Sequence, residues 1–166
     1  MMAPAHLAVV AAKKRSGGGG GGAWYESLAS GDVTVGVAIV TSGVRNSPVT
    51  LSAGNVTKLG VYKFTNSAKS FRVGLYKASD RSLVVQGVVP GTGTGWNEVS
   101  VSSTAVAAGS YLLAVNAVTD GDQIGYSTTI SVRMIKNGTY NPLPDPLPAD
   151  EGGSSTGAIA LRAWVE

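Results

Sequence analysis

Few side chains in this sequence stand where they can do chemistry. In "DGDQ" (120–123), Asp120 and Asp122 sit two residues apart in a turn, the oxygen-rich setting in which Ca²⁺ is held. The same residues also make ordinary Asx turns, and the spacing falls short of an EF-hand loop. The only histidine, His6, lies ahead of a run of glycines, so the domain that follows cannot hold it beside a nucleophile. Glycoside hydrolysis needs two carboxyl groups about 5–9.5 Å apart. The acidic residues here fall mostly in turns, and Glu98 is the lone carboxylate of a strand pattern. No cysteine is present, which removes thiolate chemistry, disulfides and thiolate metal sites together. "GTGTG" (91–95) lacks the Lys-Ser/Thr ending and the following helix of a phosphate loop. The residues point to no enzyme and no cofactor.

Two binding chemistries remain. Tyr62, Tyr76 and Trp96 are aromatic rings on strand-like segments that could form a glycan patch; for Tyr62 and Tyr76 covering a second sheet face or an oligomer interface is the plainer role, and Trp96, which begins a strand after a glycine loop, could equally cap the core. Lys13, Lys14 and Arg15 form a cationic cluster suited to an acidic partner surface. The formal charge is +3, and these three residues account for all of it, since thirteen basic residues face ten acidic ones. A neutral body lacks the clustered Lys and Arg that phosphate backbones require, so the folded part is not expected to bind nucleic acid.

The elements that must position these groups follow from composition and period. Charged residues make up 14 %, with 23 glycines among many Val, Thr and Ser, a mix that favours short strands and tight turns. Six glycines (17–22) mark a boundary and behave as a coil reaching about 13 Å. The expected division is therefore a flexible N-terminal arm at 1–22 and a folded domain at 23–166. "DVTVGVAIVT" (32–41) reads as a strand. "KLGVYKF" (58–64) puts Leu59 and Val61 on one face and Tyr62 and Phe64 on the other. "SFRVGLYKA" (70–78) sets Phe71, Val73 and Leu75 against Arg72, Gly74 and Tyr76, and "TNSAKS" between these two segments has the length of a hairpin turn.

Further strands are expected at "SLVVQGVV" (82–89), "WNEVSV" (96–101), "SYLLAVNAV" (110–118), "STTISVRMI" (127–135) and "GAIALRAWVE" (157–166). "NPLPDPLP" (141–148) has proline at every second position and reads as an extended surface loop. Eight or nine short strands with regular turn signals describe an all-β antiparallel sandwich. No run approaches the roughly 18 apolar residues of a membrane span. The apolar stretch "PAHLAVVAA" precedes the charges where a secretory signal would follow them, so no Sec-type export is expected, and "NVT" (55–57) and "NGT" (137–139) read as chance glycosylation matches.

The order "KLGVYKF", "RVGLYKASDRSLV", "GTGWNEVSV", "VAAGSYLLAV" carries a resemblance. Residues 58 to 117 resemble a widespread family of bacterial and phage β-sandwich modules, jelly-roll-like and similar in look to carbohydrate-binding modules. Separately, the basic stretch and glycine tract are similar to the leaders of small phage structural proteins. Together the resemblances imply a non-enzymatic accessory structural protein of a phage virion, as head decoration, head fibre or tail tip. They imply anchoring to other virion proteins through the arm, a homo-oligomeric state and contact with host surface glycans. The alternative is a carbohydrate-binding module at a bacterial surface.

Overall fold

The computed structural model describes residues 13–16, 21–28, 30–39, 41, 43–119, 122–135, 141–149 and 154–166, with side chains described at all of these except 13–16, 128–135 and 154–157. These residues form twelve strands: β1 (Lys13–Ser16), β2 (Ala23–Glu26), β3 (Val35–Ile39), β4 (Val44–Leu51), β5 (Gly54–Lys63), β6 (Phe71–Lys77), β7 (Leu83–Val89), β8 (Gly95–Val106), β9 (Gly109–Ala117), β10 (Asp122–Ile135), β11 (Ser154–Ile159) and β12 (Leu161–Val165). Every pairing among them is antiparallel. Among the described residues no helix is long and apolar enough to cross a membrane.

The strand order is that of a jelly roll, with β3-β10-β5-β8 in one sheet and β4-β9-β6-β7 in the other. Along β5, β10 pairs only at Lys63, and β12 takes over from Val61 to Val56, so the two strands share one edge end to end. Beyond β12 the first sheet continues through β2 to β1. The alternation seen in the sequence puts Leu59, Val61, Leu161 and Ala163 of the first sheet against Phe71, Val73, Leu75, Leu113 and Val115 of the second, all fully buried.

The structure corrects one sequence expectation here. The segments 58–64 and 70–78 are not a hairpin: β5 pairs with β8, β12 and β10, whereas β6 pairs with β7 and β9. Residues 64–70 therefore carry the chain from one sheet to the other. Each segment has one strongly apolar face, and burying both against each other requires opposite sheets. Lys13–Ser16 pairs with Ala23–Glu26 as the outermost strand of the first sheet, with the glycine run joining the two.

The outer face of the second sheet is covered by residues 141–149. Leu143 and Leu147 are buried in a cluster with Val44, Tyr76 and Ala114. The Tyr76 hydroxyl donates to Pro144 O at 2.9 Å, and Leu143 N donates to Gln86 Oε1 at 3.1 Å. Leu83 N donates to Asp145 Oδ1 at 2.8 Å, and Leu147 N to Arg81 O at 2.9 Å. Burial, reinforced by the Asp145 charge, holds the Tyr76 phenol above its ordinary value, so it stays a donor. Tyr76→Phe is expected to cost about 1 kcal/mol, lowering Tm by about 2–4 °C in a thermal melt; no change would mean that the strap holds without this bond.

Candidate functional site

The pleat of the first sheet sends alternate residues outward, and adjacent strands place them in rows across it. One row runs Trp24 (β2), Trp164 (β12), Lys58 (β5), Ser100 (β8). The next runs Glu26, Arg162, Gly60, Glu98, and in a third Tyr62 faces Trp96. All three tryptophans of the chain therefore lie in outward rows, half-buried, and Trp96 with Tyr62 also packs against the edge of the core.

Arg162 organises this face. Its guanidinium carbon lies 4.1 Å from the ring centroid of Trp24 and 4.1 Å from that of Trp96, so it stacks with both indoles. Trp24 also meets Trp164 at 5.3 Å, tilted by 59°, and Trp96 meets Tyr62 edge-on at 5.6 Å. The aromatic–cation series runs Trp164, Trp24, Arg162, Trp96, Tyr62. Arg162 Nη2 donates to Glu98 Oε1, and Nη1 lies 3.5 Å from Glu26 Oε1. Burial pulls the guanidinium below its ordinary pKa, opposed by Glu98 and Glu26; an arginine remains charged regardless.

To reach Glu98, Arg162 crosses β5 over Gly60. A Cβ at Gly60 would come within 3.1 Å of Arg162 Cγ and 3.1 Å of Asn97 O, so glycine keeps this crossing open. At the other end, a Cβ on Gly22 would stand 2.6 Å from the Trp164 ring. The last glycine of the run thus packs on the face.

Several polar atoms of the face are buried without a hydrogen-bond partner among the described residues: both Glu26 carboxylate oxygens, Trp96 Nε1 and Arg162 Nε. Glu26 is 1 % exposed, so its neighbour Arg162 supplies its compensation across an ion pair too long for a hydrogen bond.

Of the residues singled out in the sequence, Tyr62 and Trp96 do meet on this face. Tyr76 does not: it lies on the other sheet, fully buried beneath residues 141–149, because an outward position in a strand is exposed only when nothing packs over it. Lys13, Lys14 and Arg15 are in β1, with Lys13 opposite Glu26 and Arg15 opposite Trp24 in the ladder.

Asp120 lies outside the described residues. Asp122 is buried at the start of β10, 3.0 Å from the Lys63 ammonium, and accepts from the Thr65 and Ser67 hydroxyls and from Gln123 N. Its oxygens are engaged by donors of the chain itself, and among the described residues no three His, Asp or Glu side chains converge as metal ligands.

Sequence reading missed Arg162, Trp24, Trp164 and Glu26. A signal was available: "AWYE" (23–26) and "AWVE" (163–166) repeat Ala-Trp-x-Glu at the two ends of the domain. The two strands that carry them pair with Trp24 opposite Trp164. No protein-family model matches the chain, and no curated protein sequence matches it.

Proposed function

We propose that this chain is a non-enzymatic accessory structural protein of a phage particle, docking on protein through the outer face of its first sheet. The supporting observation is the gathering of Trp24, Trp96, Trp164, Tyr62 and Arg162 on that face. Trp, Tyr and Arg are the residue types that dominate the energetics of protein interfaces. The phage setting rests on the resemblance of the basic, glycine-rich leader. The particle test is purification of virions and detection of the chain by mass spectrometry and antibody labelling. The chain is expected at a regular position, and the double substitution of Tyr62 and Trp96 by alanine is expected to reduce its incorporation at least tenfold with the strand circular-dichroism signal retained. Absence of the unaltered chain from particles overturns the reading.

A second reading, saccharide binding, is favoured by the partly exposed Tyr62 and Trp96 side by side. Against it, sugar stacking needs a free ring face, and Trp24 is already flanked by Arg162 and Trp164. Retention on a glycan array that the same double substitution abolishes would favour this second reading over the first.

A further inference from the structure

We infer that the partner of the aromatic face is a second copy of this chain, the two copies meeting face to face about a two-fold axis. The inference rests on the protein-docking reading above and names its occupant. The argument comes from which charges the face leaves open. Arg162 and Glu26 are used up within the sheet, with side-chain exposures of 11 % and 0 %. Among the described side chains of the rows, two charged ones remain available outward. Lys58 is exposed and has no hydrogen-bond or ion-pair partner among the described residues. Glu98 keeps 32 % of its side chain exposed and gives only Oε1 to Arg162, leaving Oε2 open.

Lys58 and Glu98 stand diagonally, on adjacent strands and in adjacent rows, since Lys58 pairs with Ser100 and Gly60 with Glu98. A two-fold axis lying in the plane of the face along the other diagonal carries each of these positions onto the other. It therefore sets Lys58 of each copy against Glu98 of its partner, giving two ion pairs from one contact. The rings between and beside them, Trp96, Tyr62 and Trp164, supply apolar area, and the Trp–Arg stack holds them in place before docking, which limits the entropy lost on association. Around Lys58 and Glu98 the described pattern is self-complementary: one cation, one carboxylate and an aromatic patch.

The test uses the full chain in sedimentation equilibrium over a wide concentration range. A concentration-dependent dimer is expected. Lys58→Glu places four carboxylates across the contact and is expected to weaken the dimer at least tenfold, while Lys58→Arg retains it. Lys58 is exposed and has no partner among the described residues, so the variants should fold, which circular dichroism checks. Protection of tryptophan fluorescence from acrylamide should rise on dimerisation, because every tryptophan is on the face.

A chain that stays monomeric, or a dimer indifferent to Lys58→Glu, overturns the inference. Particle incorporation of the same variant separates the two levels. If the chain is monomeric but Lys58→Glu loses incorporation, the face docks on another protein and only the self-pairing falls. If the chain is monomeric and the Tyr62 and Trp96 double variant is incorporated normally, both readings fall.

Discussion

Replacing Lys63 by methionine is expected to lower the free energy of unfolding by about 3–5 kcal/mol, the range for breaking a buried ion pair by removing one partner. Lys63 and Asp122 have side-chain exposures of 0 % and 1 %. The ammonium donates to Ser67 O, to Ser67 Oγ at 3.1 Å and to Lys69 O at 3.1 Å as well as facing Asp122. These contacts tie the end of β5, the start of β10 and the 64–70 crossing between the sheets into one unit. Methionine fills similar space but leaves the Asp122 carboxylate buried without its counter-charge. Chemical denaturation of Lys63→Met, Asp122→Leu and the double variant measures the coupling, and the double variant is expected to lose less than the sum of the two singles. A loss below about 1 kcal/mol in Lys63→Met would place the pair in the class of solvated surface pairs.

The same site sets an acid limit. Burial pushes the Asp122 carboxyl up, but donation from Ser67, Thr65, Lys63 and Gln123 N outweighs it and holds the group below its ordinary value. A carboxyl depressed on folding contributes stability that is fully present above its unfolded value, about 3.9, and is lost as pH falls through the lower folded value. Removing Lys63 takes away one of those donors and its charge. The acid-unfolding midpoint of Lys63→Met should therefore move to higher pH than that of the unaltered chain, measured by circular dichroism across an acid titration.

Arg162→Leu is expected to cost about 3 kcal/mol, because it leaves Glu26 with no cation among the described side chains and removes the cation stacked with two indoles. Glu98, a third exposed, adds little to that figure because water screens it. At the usual proportionality for a chain of this size, Tm falls by about 6–12 °C. Tryptophan emission should change in the folded state as well, since all three indoles share the face. Arg162→Lys keeps a charge but not the planar stack, and should recover only part of the loss. Gly60→Val offers an independent check: it obstructs the crossing from below without altering any charge. Unchanged emission in Arg162→Leu would mean that the guanidinium does not lie between the rings.

The all-β class and the inward faces were legible in the sequence because alternation is local. Leu59 and Val61, Phe71, Val73 and Leu75, and Tyr111, Leu113 and Val115 all point inward as their period required. β4 was missed because Pro48 interrupts its pattern. The structure tolerates this proline because β10 pairs with β4 only at Val44–Asn46, which leaves the strand open on that side beyond. The run at 157–166 appeared as one strand but divides at Ala160, where the chain passes from β11, paired with β10, to β12, paired with β5.

By itself the sequence determined an all-β sandwich without cysteine and the outward placement of Tyr62. Only the tertiary structure decided which outward residues meet. Arg162 reaches Glu98, 64 residues away in the chain, across β5, and Tyr76 is outward yet sealed by residues 141–149. Period tells which face a side chain takes. What covers that face depends on long-range pairing, which the local pattern of residues does not encode.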